Sequence, residues 1–322
     1  MKNKKLICCL SIFFIIVISV CVPVSTQSRE VDSIDNEKSE TVTVGSDSKE
    51  NTYYYTNEMI SKYIECNMET IDNDIDKLLL VNRYNPLPSD FKAKNLVELS
   101  SSKIELSASK AILNNIVRDA LYEMLDAAKE ENITGYVSNS TVRSIEEQSY
   151  LYQHRLNINK KNKVKDPEGE TLKRVAKPGT SEHHTGLSMD ILSINGNSAA
   201  TFGKTEQSKW LNENCYKYGF IIRYPEDKQE ITETMYEPWH IRYVGLPHSM
   251  IMKKENMCLE EYINYLKENN TIIYELYNEK YSITYINLDE DSSKLSVINY
   301  ELSEAEISKA VENQYVLTAK LD

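Results

Sequence analysis

Apolar residues recur at three- and four-residue intervals through residues 107–131, where Ile112, Ile116, Val117, Ala120, Leu121, Met124, Leu125 and Ala128 share one side. The polar residues fall opposite, so this rhythm predicts an amphipathic helix packed on a core. Leu187-Ser188-Met189-Asp190-Ile191-Leu192 follows a period of two and predicts a strand, with Ser188 and Asp190 on one face and Leu187, Met189 and Ile191 on the other. Phe220-Ile221-Ile222-Arg223-Tyr224 and Ile241-Arg242-Tyr243-Val244 read as buried strands, and residues 135–138 as a shorter one. Residues 209–218 form a helical pattern ended by Gly219 at its C-cap. Ser144 and Glu147 have the spacing of a capping box, which opens a further helix.

Outside this block, residues 53–80 carry apolar positions at helical spacing and predict one or two helices, followed by an extended turn at Asn85-Pro86-Leu87-Pro88. Residues 159–179 are basic, contain Pro167, Gly169 and Pro178, and read as a loop. Residues 250–269 read as one or two helices. Beyond 271 the pattern turns β-rich, with a hairpin over 271–286 and further strands at 295–298 and 315–318.

The N-terminal stretch adds a different element. Residues 6–24 are almost uninterrupted apolar sequence after Lys2, Lys4 and Lys5, long enough to span a bilayer with the lysines on the cytoplasmic side. Residues 26–52 are rich in Ser, Thr, Glu and Asp and read as a solvated tether. The chain therefore divides into a signal-anchor or transmembrane segment (1–25), a polar linker (26–52), a main domain (53–270) and a β-rich appendage (271–322). An anchor in this position places the main domain outside the cell membrane, or secretes it if the anchor is cleaved. The fold expected is α+β: a central, mainly antiparallel sheet flanked by helices, with an N-terminal apolar helix and a small C-terminal β appendage.

With 322 residues, 41% of them hydrophobic, the chain can bury one full core and more. Its net charge of −12 argues against a nucleic-acid partner, which needs clustered Lys and Arg. Cys66, Cys215 and Cys258 lie outside the apolar stretch without C-x-x-C spacing, which argues against a disulfide framework and a cysteine zinc site and predicts buried thiols.

Chemistry concentrates in two segments, Ser181-Glu182-His183-His184-Thr185-Gly186-Leu187-Ser188-Met189-Asp190 and Glu237-Pro238-Trp239-His240. His183, Asp190 and His240 offer two imidazoles and a carboxylate, the three-ligand set of a catalytic zinc whose fourth position is left to water. Glu237 is then spare, three residues before a ligand, and suits the general base of a metallopeptidase. Gly186 permits the turn that brings His183 back towards Asp190. Pro238 rules out a helical H-E-x-x-H arrangement, so the ligands must converge from strands and loops. An arginine such as Arg143, at the end of a strand and facing a cleft, would stabilise an oxyanion. His154, His184 and His248 read as structural or exposed histidines.

The pattern S-x-H-x-x-G-x-x-x-D, followed about fifty residues later by E-P-W-H-x-R-Y, resembles the VanY-type D-alanyl-D-alanine carboxypeptidases. The likeness extends from residues 78–88 through Val142-Arg143-Ser144 and Gln148 to residues 218–225 and Leu259-Glu260-Glu261-Tyr262. The resemblance implies one Zn²⁺ per chain in a zinc cleft, peptidoglycan stem peptides as substrate, Arg143 as oxyanion stabiliser, and Gln148 and Ser181 as substrate-binding residues. The chain departs from the family at Thr141 and Val142, where a glycine and an aromatic residue are usual.

The expected function is hydrolysis of the C-terminal D-alanine of stem peptides, with Glu237 as base. Two alternatives accompany it: an L,D-carboxypeptidase acting on tetrapeptides, and a non-catalytic, zinc-stabilised wall-binding module. The latter would need neither Glu237 nor Arg143.

Overall fold

The structure, a computed structural model, describes residues 52–55, 59–62, 76–289, 295–298 and 305–321. The apolar segment at 6–24, the linker and Cys66 lie outside the described residues. Among the described residues, no helix is long and apolar enough to cross a membrane.

Five strands form the central sheet: β1 (Glu105–Leu106), β2 (Tyr136–Ser140), β3 (Ser188–Ser193), β4 (Phe220–Tyr224) and β5 (Glu237–Tyr243). Their order is β1-β2-β3-β5-β4, with β1 parallel to β2 and the other neighbours antiparallel. The main helices are α1 (Asn115–Glu130), α2 (Ile145–Lys161), α3 (Pro167–Leu172), α4 (Glu206–Asn214), α5 (His248–Lys254) and α6 (Leu259–Asn269). The architecture is mixed α and β, as expected.

The two-residue period of β3 decides where the core sits. Leu187, Met189 and Ile191 are buried in one cluster with Leu113, Val117, Leu121 and Met124 at and along α1, and with Trp210, Leu211, Phe220 and Ile241. Asp190 consequently takes the opposite face, where the sheet meets the cleft. Gly219 ends the turn after α4 in the left-handed region, at φ +83, as its C-cap position predicts. The capping box of α2 is formed by Ser144 and Glu147.

Four elements differ from expectation. The helix predicted over 107–131 begins only at Asn115, because Asn114 caps it: its side-chain oxygen accepts from the Ile116 N–H at 2.9 Å. Residues Ile112–Asn114 instead pair with Leu96–Glu98 as a short antiparallel ribbon. Within the predicted loop at 159–179, α3 forms with Asp166 as N-cap and Pro167 at its first position, where a missing N–H costs nothing. Tyr53–Tyr55, expected to be helical, belong instead to a strand, Thr52–Tyr55, paired antiparallel with Leu295–Ile298. β5 begins at Glu237, earlier than the predicted strand, and accommodates Pro238 beside a register shift in its pairing with β4.

The β-rich tail forms a second antiparallel sheet, ordered β8-β9-β7-β6, from β6 (Thr271–Leu276), β7 (Glu279–Asn287), β8 (Glu306–Val311) and β9 (Gln314–Leu321). Ile283, Tyr285, Ala310 and Val316 of this sheet share one buried cluster with Ile251, Met252, Tyr262 and Ile263 of α5 and α6. The tail thus packs into a core continuous with the main domain. Cys215 and Cys258 are buried free thiols, and burial pushes both up to about 12.

Candidate active site

Backbone register brings the first two candidate ligands together. β3 and β5 are neighbours, and Asp190 lies directly opposite His240, so both side chains leave the same face of the sheet. The third, His183, sits on a 3₁₀ turn, Glu182–His184, ahead of β3. Gly186 permits the return: its φ is +76, and a Cβ there would lie 2.8 Å from Leu96 Cδ2 and 3.3 Å from the backbone N of Asn114.

The three side chains are buried and offer ligand atoms within 4.8 Å of one another. Oδ1 of Asp190 lies 3.0 Å from Nδ1 of His240 and 3.4 Å from Nε2 of His183. Tetrahedral ligands at about 2.0–2.1 Å from one zinc stand roughly 3.4 Å apart, so the donor set fits a zinc ion. The nitrogens turned away from this point are also engaged. Nδ1 of His183 donates to the Thr141 carbonyl at 2.7 Å, and Nε2 of His240 faces Oε2 of Glu182 at 3.4 Å. These partners select the tautomers that direct a lone pair from each ring at the common point.

Electrostatics separate the two imidazoles. His183 is lowered by burial and by the nearby Arg143 guanidinium. Burial also disfavours charge on His240, but hydrogen bonds with Asp190 and Glu182 outweigh it and raise that ring. Asp190 is held well below the usual carboxylate range: burial opposes its charge, and His183, His240 and Arg143 overcome that opposition.

Glu237, at the start of β5, lies beside this set, with Oε2 3.9 Å from Nδ1 of His240. Burial pushes its carboxyl up to about 8. Arg143 enters from the other side. Its Nη2 donates to Oδ2 of Asp190 at 2.9 Å and approaches Nε2 of His183 at 2.6 Å, while Nη1 donates to Oε1 of Gln148 at 3.0 Å and Nε to Oγ of Ser140 at 2.8 Å. Gln148 is buried, and its amide also donates to the Ala176 carbonyl at 2.7 Å, so it ties Arg143 to the segment after α3. Ser181, at the start of the 3₁₀ turn, lines the same cleft of about 470 Å³. Thr141 fastens the turn before Arg143, its hydroxyl accepting from the Ile112 N–H at 2.8 Å.

The sequence reading missed Glu182. Its side chain is fully buried, and Oε1 accepts from Arg223 Nε and Arg242 Nη1, each at 2.7 Å. Burial opposes its charge, but the two guanidiniums and His240 hold it well below the usual carboxylate range. Arg223 also meets Glu260 through Nη1 at 2.8 Å and Nη2 at 2.6 Å. The E-P-W-H-x-R-Y motif contained a signal in Arg242, since an arginine inside a buried strand requires a carboxylate partner. Tyr224, also unassigned, lies with its ring centroid 5.1 Å from that of His240.

The remaining histidines have other roles. His184 bonds the Arg143 carbonyl through Nδ1 at 2.9 Å and accepts from the Gly179 N–H. His248 is the first residue of α5, is buried, and bonds Tyr262 and Thr318. His154 is exposed and stacks on Tyr150.

Residues 110–246 match the family model VanY, D-alanyl-D-alanine carboxypeptidase. A D-alanyl-D-alanine carboxypeptidase of Enterococcus faecium is 40% identical over 214 residues, covering 65% of this chain and 64% of the relative. A bifunctional D-Ala-D-Ala dipeptidase and D-Ala-D-Ala carboxypeptidase, VanXYC of Enterococcus gallinarum, is 33% identical over 199 residues, covering 60% of this chain and 97% of the relative. Among solved structures, a mutant of the vancomycin resistance D,D-pentapeptidase VanY from a VanB-type cassette, in complex with Zn(II), superimposes with a TM-score of 0.52 at 33% identity, over 59% of this chain and 100% of that one. On this similarity, carried by the segment that holds His183, Asp190, Glu237 and His240, the chain belongs to the VanY family of D-alanyl-D-alanine carboxypeptidases.

Proposed function

We propose that the chain is a zinc-dependent carboxypeptidase that removes the C-terminal D-alanine from peptidoglycan stem peptides. The observation that carries this reading is the convergence of His183, Asp190 and His240, with the Glu237 carboxyl beside them. When bound, zinc supplies a Lewis acid that polarises the scissile carbonyl and acidifies water. Glu237 takes the proton of the attacking water and passes it to the departing D-alanine amine. Glu237 stands in position for this shuttle, its Oε2 3.9 Å from Nδ1 of His240 at the edge of the candidate ligand set.

Arg143 turns its guanidinium to the carbonyl oxygen as negative charge develops there. Gln148 holds that guanidinium in place and, with Ser181, contacts the peptide. Trp239 and Tyr224 complete the cleft wall. A wall-binding module has no use for a buried glutamate and an arginine aimed at a common point. The lysines and apolar residues ahead of position 25 support attachment to the membrane, with the catalytic part outside the cytoplasm.

Product masses from the purified protein test this reading. Incubated with a pentapeptide ending in D-Ala-D-Ala and with the corresponding tetrapeptide, the protein should release one D-alanine from the pentapeptide, and a chelator should abolish the release. Cleavage of the tetrapeptide alone would make it an L,D-carboxypeptidase. No cleavage of either in the presence of zinc would leave only the binding module.

A further inference from the structure

Of the seven arginines among the described residues, five form ion pairs: Arg83 with Glu233, Arg118 with Asp119, Arg143 with Asp190, and Arg223 and Arg242 with Glu182. Arg155 and Arg174 form none among the described residues, and both line the cleft that holds the candidate metal ligands. In a chain with a net charge of −12, carboxylates are abundant, so two guanidiniums in a single cleft without one in ion-pair contact are unexpected; Arg174 acts on Glu237 through its charge alone, beyond ion-pair distance. The carboxylates in the cleft wall are already engaged. Glu182 binds Arg223 and Arg242, Asp190 binds Arg143 and faces both imidazoles, and Glu237 lies beside His240.

Arg155 lies on α2 and Arg174 just beyond the end of α3. Gln148, Leu151, Arg155 and Ile158 follow the spacing of one face of α2, and all four line the cleft. Arg174 follows α3, which is fastened to α2 by Asn159 Nδ2 donating to Thr171 Oγ1 at 3.0 Å. Arg155 stands seven residues beyond Gln148, about 10 Å along the helix. An extended peptide advances about 3.3–3.6 Å per residue, so that distance corresponds to about three residues of substrate. Arg155 is half-buried, with the apolar side chains of Leu151 and Ile158 on the same wall, and a guanidinium fork matches a carboxylate in geometry and charge.

We propose that Arg155 and Arg174 bind a carboxylate carried by the stem peptide upstream of the scissile bond, so that the enzyme selects peptides in which that group is a free acid over those in which it is amidated. This rests on the carboxypeptidase reading of the cleft. The group recognised is a second anion, separate from the terminal carboxylate of the leaving D-alanine.

Two pentapeptides test it: L-Ala-D-isoglutamate-L-Lys-D-Ala-D-Ala and its D-isoglutamine counterpart, which differ by one negative charge at nearly constant size. The full chain should cleave the acid with a kcat/KM about tenfold above the amide, the scale of one charge-assisted hydrogen bond at a partly exposed site. In the double variant R155Q/R174Q the ratio should fall to near one. Because the ratio is taken within one protein, partial loss of folded enzyme cancels. Equal rates for acid and amide in the unsubstituted chain would overturn the proposal while leaving the carboxypeptidase reading intact. An unchanged ratio in the double variant, with both peptides slowed alike, would overturn it too, because the arginines would then serve the shared terminal carboxylate. Hydrolysis of neither peptide would remove the carboxypeptidase reading and this proposal with it.

Discussion

Oε2 of Glu182 lies 3.4 Å from Nε2 of His240, on the side of the ring away from Asp190. The same carboxylate neutralises Arg223 and Arg242 inside the protein, so one residue both orients a candidate metal ligand and balances two buried cations. Glu182→Gln keeps the shape and removes the charge. Breaking a buried ion pair from one side costs about 3–5 kcal/mol, and losing the partner of a metal-bound imidazole weakens affinity about 10–100-fold. Urea unfolding together with zinc competition by a chelator should show both losses, and an unchanged midpoint would contradict the ion-pair account.

Arg143 is predicted to act on rate more than on metal retention. Arg143→Lys preserves one charge but loses the fork that reaches Asp190, Gln148 and Ser140 together. The expected outcome is a fall in kcat of about 10²–10³-fold, as for removal of an oxyanion donor, with zinc content measured by mass spectrometry unchanged. A change confined to KM would assign the arginine to substrate binding alone.

Gly186→Ala should strain the turn between His183 and Asp190, two of the candidate ligands. A residue other than glycine at φ +76 costs about 1–3 kcal/mol, and its Cβ would press on Leu96 and on the Asn114 backbone. Thermal unfolding should register this loss, and an unaltered Tm would show that the turn relaxes freely.

Acid should destabilise the protein through His248. Burial holds this imidazole at about 3, far below its ordinary value, between Tyr262 and Thr318. The folded pKa is depressed, so the unfolded chain takes up the proton first. Stability is therefore complete above the unfolded value, about 6.5, and declines as pH falls towards 3 by up to about 1.4 kcal/mol per unit. Between pH 7.5 and 5 the unfolding free energy of His248→Gln, from urea titrations, should fall less than that of the unsubstituted chain, by roughly 2 kcal/mol at pH 5. Equal shifts in the two proteins would exclude His248 as the source.

Among the candidate metal ligands, His183 and Asp190 were legible because their geometry is local, and His240 because it stands in a compact motif with Glu237. The two-residue period fixed the face of Asp190, and Gly186 marked the turn that brings His183 back. Glu182 was not legible, because its burial depends on Arg223 and Arg242, which are 41 and 60 residues away. The strand at Ile112–Asn114 escaped notice because Ile112 fits the helical rhythm of α1 equally well, and only the Asn114 cap breaks it. Pro167 signalled the start of α3, although within a basic stretch proline, like glycine, also reads as a loop.

The account stands on Glu237 as the group that moves the proton beside a metal held by His183, Asp190 and His240. The most direct test is D-alanine release from a D-Ala-D-Ala pentapeptide by Glu237→Gln, with bound zinc measured in the same sample. The account predicts one zinc per chain and a rate lowered by about 10²–10⁴-fold. Full activity at that zinc content would contradict it.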